Sequence, residues 1–368
     1  WYGRKVATFR RQFATLYGTR HCHMVTSGTA ALHVAVASGG VGPGDEVITS
    51  PMTDQGTIIA ILAQGGVPIF ADLDPHTYNV APASIAQCIT DKTAAVIAVH
   101  LAGNAADMDP IIALARERGI KVIEDCAQSY MCWYKGRLAG SIGDLGCFSL
   151  NDFKHISAGD AGMVITNDDA LSARAQLYLD KGYARDGAGR RPPFLGFNYR
   201  PSELHGAVAI AQLRKLPGIC AQRNLLGDRL TAALRDVPGV FPHKVLDGCK
   251  SSYWFYMGRM DADALGVSRD EFVAAVAAEG VPVSGGYIGP MVYEYPVLSE
   301  RRAFENCEFP WDGRYGRKVE YGKGMCPVAE AIEASSWQCP INQAMTEQDV
   351  DDIAAAIAKV ARCFAAAK

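Results

Sequence analysis

The sequence predicts an α/β fold in which helices cover a mostly parallel sheet, followed by a smaller α+β domain. Helical and strand-like segments alternate between residue 26 and about residue 166. The predicted strands are runs of Val and Ile without polar alternation, which is typical of strands buried on both faces of a parallel sheet. With 368 residues, the chain exceeds the size that one core usually supports, so we expect two domains that share a cleft.

The helices of the first part begin at capping residues and end at glycines. Residues 27–40 start with a serine, place small and apolar side chains at helical spacing, and stop at paired glycines. Residues 56–66 and the amphipathic segment 109–119 predict two further helices. The apolar segments around them predict strands at residues 46–50, 67–73, 93–101, 119–125, 145–150 and 162–166.

The pattern changes in the last third of the chain. Residues 167–240 are mainly helical in pattern. Three later segments predict one strand and two helices, respectively 251–260, 268–280 and 346–364. We therefore predict a large domain at residues 1–240 and a small C-terminal α+β domain at residues 241–368.

The composition argues against several classes of protein. A net charge of -3 gives no electrostatic reason to expect nucleic acid or an anionic membrane as partner. No apolar run approaches the ~20 residues that span a bilayer. The eleven cysteines include no CxxC pair and the histidines do not cluster, so we expect no metal site. Scattered single cysteines indicate reduced thiols in a cytoplasmic protein.

The segment "TSGTAAL" contains the first candidate site residues, Ser27, Gly28 and Thr29. Here a Ser-Gly-Thr turn opens a helix and exposes N–H groups and hydroxyls at the positive end of the helix dipole, which suits a phosphate. An ordinary N-cap serine followed by a tightly packed glycine explains the same residues. On this segment alone, the ordinary cap is the commoner arrangement.

The segment "KVIEDCAQS" places Glu124 and Asp125 at the end of a predicted buried strand. Ligands of open α/β sheets collect at this edge. An acidic pair there can bind a metal ion, a ribose or a protonated ring nitrogen, or it can be two solvated residues that start a loop. Gln128 and Ser129 follow in the same loop and could add hydrogen bonds.

Lys154 stands between two predicted buried strands, with a glycine-rich turn after it. It is either a solvated loop residue or a lysine held in a cleft, where burial would lower its pKa and make the amine nucleophilic toward carbonyls. That chemistry suits a Schiff base with pyridoxal phosphate, which also needs a phosphate seat and a carboxylate beside its pyridine nitrogen. The three segments together meet these needs. The neighbouring His155 is predicted to be a supporting group, and neither a dinucleotide motif nor a P-loop motif occurs.

With these residues identified, the chain resembles the DegT/DnrJ-type sugar aminotransferases, fold-type I enzymes that depend on pyridoxal phosphate. The likeness covers nearly the whole sequence. Seven segments occur in the family's order: "SGTAAL", "GPGDEVIT", "VHLAGNAADMD", "VIEDCAQS", "FSLNDFKHISAGDAGMVIT", "FNYRPSELHGAVAIAQL" and "CPVAEAI". The resemblance implies the fold of a fold-type I transferase, with a mostly parallel seven-stranded sheet in the large domain.

The resemblance also implies roles for single residues. Lys154 would form the Schiff base, and Asp125 would face the pyridine nitrogen. Further cofactor contacts would come from Ser27, Gly28, Thr29, Gln128 and Ser149, with Gln128 near the ring hydroxyl. In the family, an Asn-x-Arg segment reaches the neighbouring subunit's cofactor, and here it matches Asn198 and Arg200. A homodimer with shared active sites is therefore expected.

Two positions depart from the family's pattern. Asp54 stands where the family usually has an aromatic residue that stacks on the cofactor ring, so Asp54 is expected beside the cofactor without that stacking. The turn that usually reads Gly-Glu-Gly-Gly is Gly-Asp-Ala-Gly here, at residues 159–162. We expect the second change to be mild because the carboxylate and the turn remain.

The implied function is a pyridoxal-phosphate-dependent aminotransferase that moves an amino group from glutamate or glutamine to a keto-sugar or ketocyclitol. The pathway would be of the nucleotide-sugar or aminoglycoside antibiotic type, and "EDCAQS" slightly favours aminocyclitol enzymes. Only small molecules and a second copy of the chain are expected as partners. The segments 285–296 and 185–194 are expected to contribute to the substrate pocket, together with the neighbouring chain.

Two other functions fit the same fold. The first is a cofactor-dependent sugar dehydratase, in which histidine typically replaces the lysine. Counting back from Gly159 puts Lys154, and not His155, at the covalent position, which favours amino transfer. The second is a non-catalytic regulator that binds the cofactor as a sensor, a hypothesis that only Asp54 supports.

Overall fold

A seven-stranded sheet forms the centre of the larger part of the protein in its computed structural model, which describes residues 3–185 and 191–367. The α-helices α1 to α13 of these ranges are Arg4–Tyr17, Gly28–Ser38, Gln55–Ala63, Pro82–Cys88, Met108–Arg118, Asp169–Leu179, Glu203–Leu213, Leu216–Leu234, Ala262–Leu265, Arg269–Ala278, Pro296–Ser299, Pro327–Ser335 and Glu347–Ala367. Short 3-10 helices are found at Leu101–Gly103 and Val292–Glu294.

The strands form two main sheets and one short hairpin. Strands β1 to β13 are His21–Val25, Glu46–Thr49, Val67–Phe70, Thr93–Val99, Lys121–Asp125, Trp133–Tyr134, Arg137–Leu138, Leu145–Ser149, Gly162–Thr166, Val240–Pro242, Tyr256–Met260, Ser284–Gly285 and Ser336–Cys339. The large sheet has the order β1-β9-β8-β5-β4-β2-β3, and only β9 runs against its neighbours. The predicted seven-stranded, mostly parallel sheet is thus confirmed.

Five of the six strands predicted for the large sheet are shorter in the structure, and the strand at 162–166 keeps its predicted bounds. In the predicted strand 67–73, β3 stops at Phe70, and the Asp72 carboxylate instead accepts hydrogen bonds from the first N–H groups of α12. The prediction of one strand over 251–260 is wrong in its first half. Ser252 and Trp254 donate their backbone N–H groups to the carbonyls of Gly103 and Ala102 in the large part, so β11 starts only at Tyr256.

The C-terminal third carries its own antiparallel sheet, of order β10-β11-β13-β12. Its core includes Leu226 and Leu230 from α8, Phe272 from α10 and Ile357 from α13. Residues 287–326 return to the large part, where Tyr293 and other aromatic side chains join the core of the large sheet. The proposed division at residue 240 stays a prediction, since both parts exchange residues across it.

Two composition-based expectations can be compared with the structure. All eleven cysteines are free thiols, in agreement with the expectation of reduced cysteines. Within the described ranges, no helix has both the length and the apolar character needed to cross a bilayer.

Glu124 is fully buried at the end of β5 and holds a turn of the chain in place. His100 donates its Nε2–H to the carboxylate at 3.0 Å, since its Nδ1 accepts the N–H of Ala106. Three backbone N–H groups at 2.7–2.8 Å complete the coordination of the carboxylate, from Gly140, Ile142 and Gly143. Both carboxylate oxygens of Glu124 thus accept two hydrogen bonds each from the protein. Glu124 is therefore a structural residue and not half of a ligand-binding acidic pair.

Replacing Glu124 by Gln should destabilise the fold by about 2–4 kcal/mol, because the new amide N–H₂ would face backbone N–H donors in a buried site. Differential scanning calorimetry should show a lower unfolding temperature. The matched control is Glu117→Gln on the exposed face of α5, which should leave the midpoint nearly unchanged. Equal midpoints for the two variants would contradict this account of Glu124.

Candidate active site

A cavity of about 260 Å³ opens at the carboxyl end of β5, between the N-termini of α2 and α3. Ligands of parallel sheets bind at this edge. Eight residues that the sequence predicts for the site line it, namely Ser27, Gly28, Thr29, Asp54, Asp125, Gln128, Ser149 and Lys154. The fold therefore brings together segments that are as far apart in sequence as residues 27 and 154.

The N-terminus of α2 forms one wall and is suited to an anion. Ser27 is a true N-cap, since its Oγ accepts the N–H of Ala30 at 3.0 Å. The helix start lies so close to β8 that a Cβ on Gly28 would stand 2.7 Å from the Cβ of Ser149. Glycine is thus required for this approach, and the helix start that Ser27 caps is also a place where an anion can be bound.

Asp125 lies opposite this wall with 5% of its surface exposed. Thr57 donates its hydroxyl to the carboxylate at 2.8 Å, and the N–H of Ala127 donates at 3.1 Å. Burial raises the pKa of Asp125, while these two hydrogen bonds and the nearby charge of Lys154 lower it. Sequence reasoning missed Thr57, because nothing in its own segment points to a partner 68 residues away.

Lys154 reaches the same cavity with its amine. Burial lowers the pKa of Lys154, and the charges of Asp125 and Asp54 act against that shift. The amine lies 3.9 Å from the centre of the Trp254 ring, a cation–π contact that favours the ammonium form. Trp254 is a second residue that sequence reasoning missed, because its segment alternates like an ordinary strand.

Gln128 connects the site to the predicted substrate segment 285–296. Its Oε1 accepts the N–H of Ala102 at 2.8 Å, and its Nε2 donates to the hydroxyl of Tyr287 at 2.6 Å. The Tyr287 ring stacks on Phe255 at 5.3 Å between centroids. Tyr287 was part of that predicted segment but was not singled out.

Asp54 is an exposed N-cap of α3, and its Oδ1 accepts the N–H of Gly56 at 2.8 Å. Its charge contributes to the raised pKa values of Tyr287 and Tyr295, for which burial is the larger cause. The position that usually carries an aromatic ring in the family is therefore a fixed carboxylate at the mouth of the cavity.

His155 does not line the cavity. It is buried, and its Nε2 donates to the carbonyl of Ser252 at 3.0 Å. Burial, with a smaller effect of the Arg223 charge, lowers its pKa to about 3. His155 is thus a neutral group that anchors the segment around Ser252.

Asn198 and Arg200 do not reach the cavity of their own chain. Asn198 is exposed and pairs through its backbone with Asp180. Arg200 forms an ion pair with the buried Asp180 carboxylate, to which Arg185 also donates at 2.7 and 3.0 Å. Within the predicted loop 185–194, residues 186–190 lie outside the described ranges.

Known proteins resemble this chain over most of its length. Residues 1–358 match the DegT/DnrJ/EryC1/StrS aminotransferase family. The chain is 32% identical over 369 residues to the L-glutamine:2-deoxy-scyllo-inosose aminotransferase of Streptoalloteichus tenebrarius, covering 96% of this chain and 85% of that protein. It is 31% identical over 371 residues to the GDP-perosamine synthase of Caulobacter vibrioides, covering 97% and 90% of the two chains.

A solved structure of an aminotransferase from Psychrobacter cryohalolentis is similar throughout. It superposes with a TM-score of 0.85 at 29% identity, over 99% of this chain and 93% of that one. The chain therefore belongs to the DegT/DnrJ/EryC1/StrS aminotransferase family and is a pyridoxal-phosphate-dependent aminotransferase.

Proposed function

We propose that the protein transfers an amino group from glutamine or glutamate to the ketone of a cyclitol or sugar, in a pathway to an aminocyclitol antibiotic or an amino sugar. The observation that carries the proposal is the single cavity where the Lys154 amine, the Asp125 carboxylate and the N-terminus of α2 meet. The two relatives, a glutamine-dependent cyclitol aminotransferase and a GDP-perosamine synthase, support the donor and acceptor classes.

The residues of this cavity fit the cofactor. Gly28 lets the start of α2 pack against Ser149, which brings the helix N-terminus and the Ser149 hydroxyl to the same wall of the cavity. On our proposal, Ser27, Thr29 and Ser149 hold the phosphate, Asp125 accepts a hydrogen bond from the protonated pyridine nitrogen, and Gln128 lies near the ring hydroxyl. Bound pyridoxal phosphate supplies an electron sink for the carbon next to the transferred amine.

Lys154 would attach the cofactor and then act as general base and acid. Because its pKa is lowered, a larger fraction of the Lys154 side chain is the neutral amine, which can take a proton from the substrate carbon. Trp254 on one side and the carboxylates of Asp54 and Asp125 on the other stabilise the ammonium that results. The same amine would then deliver that proton to the cofactor, so that the amino group stays with the cofactor when the keto product leaves.

The mouth of the cavity suits a hydroxyl-rich acceptor. Asp54 offers carboxylate oxygens there, and Gln128, which also lines the cavity, holds the hydroxyl of Tyr287 next to it. Carboxylate, amide and hydroxyl groups of this kind exchange hydrogen bonds with the hydroxyls of a sugar or cyclitol. We propose that Asp54 contacts the acceptor as well as flanking the cofactor.

A homodimer completes the proposal. Neither Asn198 nor Arg200 lines the cavity of its own chain. The exposed Asn198 side chain is available to the neighbouring subunit's site, and the ion pair between Arg200 and Asp180 holds this segment in place. Three large apolar side chains are exposed, Phe153 at 81%, Leu195 at 77% and Leu204 at 79%, and the two leucines lie within four residues of Asn198 or Arg200 in sequence. Such exposure is typical of a surface that another chain covers.

The function is tested by incubating the enzyme with amide-¹⁵N and amino-¹⁵N glutamine or glutamate and a keto acceptor. The acceptors are 2-deoxy-scyllo-inosose and a nucleotide-linked keto-sugar. We expect mass spectrometry to find the α-amino label, and not the amide label, in one aminated product. A dehydrated product without nitrogen would support the dehydratase instead.

The Lys154→Ala variant should lose at least about 10³-fold in rate, and it should lose the visible absorbance of the covalently held cofactor.

Replacing Gly28 by Ala should weaken cofactor binding at least about tenfold, because the new methyl group would stand 2.7 Å from the Cβ of Ser149 at the phosphate seat. The dissociation constant of pyridoxal phosphate is measured by fluorescence titration of the apoenzyme. Gly218→Ala is the matched control, since a Cβ there meets open space. Unchanged affinity of Gly28→Ala would place the phosphate elsewhere.

The shared active site is tested by mixing two variants, Lys154→Ala and Asn198→Ala, each expected to be nearly inactive. Random exchange of subunits should restore about one quarter of the wild-type activity, because half of the dimers then carry one intact site. Each variant unfolded and refolded alone is the control. If the mixture stays as inactive as its components, Asn198 does not serve the partner's site.

A further inference from the structure

A second cavity, of about 640 Å³, lies away from Lys154 and shares no lining residue with the candidate active site. It is formed where the Pro75–Tyr78 turn of the large part meets α8, β10 and β11 of the small part. Its volume is in the range of sites that bind small organic molecules. None of the aminotransferase chemistry described above uses it.

The charged groups around this cavity are mainly positive. Arg235, Lys244 and Arg259 line it, and among its described lining residues Asp228 is the only carboxylate. Asp228 accepts the hydroxyl of Tyr253 at 2.8 Å. The guanidinium of Arg259 donates to Ser335 and to the carbonyl of Pro75. In the described part of the chain, the cationic ends of Arg235 and Lys244 form no ion pair.

Two aromatic residues of the wall have backbones in the left-handed region, Tyr78 at φ 62° and Tyr253 at φ 42°. Bulky residues adopt this conformation at a cost, and such positions concentrate at ligand sites and switch regions. Between them, His243 is 3% exposed and its Nδ1–H donates to the carbonyl of Met257 at 2.8 Å. Its Nε2 has no hydrogen-bond partner in the described structure, which is uncommon for a buried group.

We propose that this cavity binds a small organic anion with a flat apolar body, as an effector site of the enzyme. The unpaired Arg235 and Lys244 would bind the anionic group. Phe241, which is 52% exposed, would contact the apolar body. Beneath it Tyr78, His243 and Tyr253 are each at most 3% exposed and pack with their rings 6.2 and 5.5 Å from the His243 ring, so they form the floor of the cavity.

The backbone connects this cavity to Lys154 over one residue. Tyr253 lines the cavity, and the next residue, Trp254, lies under the Lys154 amine at 3.9 Å. Arg223 donates to the carbonyls of both residues at 3.1 and 2.9 Å, so one side chain holds the backbone of the two. A ligand that shifts Tyr253 therefore changes the contact that favours the lysine's ammonium form, and this links cavity occupancy to the active site.

The proposal is tested by isothermal titration calorimetry of the cofactor-loaded enzyme with 2-naphthoate at low ionic strength. We expect one saturable site per chain, and binding of the neutral 2-naphthamide at least about tenfold weaker. The double variant Arg235→Gln/Lys244→Gln should also bind 2-naphthoate at least about tenfold more weakly. Its matched control, Lys92→Gln/Arg118→Gln, replaces two exposed cations elsewhere and should bind like the wild type.

The link between occupancy of this cavity and Lys154 is tested by a separate measurement. Saturating 2-naphthoate should shift the visible absorbance of the bound cofactor in the wild type and in the control, but not in Arg235→Gln/Lys244→Gln. Absence of saturable binding, or equal binding by the double variant, overturns the site. Binding without a spectral shift overturns the link to Lys154. Neither result depends on which acceptor the enzyme aminates, so failure here is distinct from failure of the proposed function.

Discussion

The site depends on keeping an acidic side chain and a lysine together in a largely water-free cavity. Asp125 is 5% exposed, and an isolated carboxylate would not stay charged there. Thr57 and the N–H of Ala127 compensate for part of the lost hydration, and the Lys154 amine supplies the opposite charge. Burial of the two charged groups destabilises the fold, and it also lowers the pKa of Lys154. The unfavourable burial is therefore what makes the amine reactive.

Strand β5 illustrates how one acidic dipeptide serves two purposes. Adjacent residues of a strand point to opposite faces, so Glu124 and Asp125 meet different surroundings. Glu124 is saturated by His100 and three backbone N–H groups and fixes a turn. Asp125 faces the cavity and keeps the freedom to accept a further hydrogen bond. A rigid structural carboxylate thereby positions a functional one.

The segment Ser251–Trp254 links the two halves of the molecule. Its backbone bonds to the loop around Gly103, and Ser252 also accepts the hydrogen bond of His155, the neighbour of Lys154. This segment would have extended β11 if local pattern had decided its structure. Its departure from the sheet places Trp254 at the lysine and Tyr253 at the second cavity. The position of the reactive amine therefore depends on contacts between the two halves.

The sequence by itself determined the alternation of helices and strands over residues 26–166 and their parallel sheet, because these depend on local periodicity and capping. Strand-end position and capping also indicated Asp125, Lys154 and the start of α2, and the resemblance to the family supplied the remaining predicted residues of the cavity. Only the tertiary structure decided that Thr57 bonds Asp125, that Trp254 lies under Lys154, and that Tyr287 meets Gln128. These contacts join residues 68 to 159 positions apart in the sequence. The local pattern around one residue does not indicate which distant residue it will contact. Periodicity reports which face of an element is buried, whereas only packing decides what it is buried against.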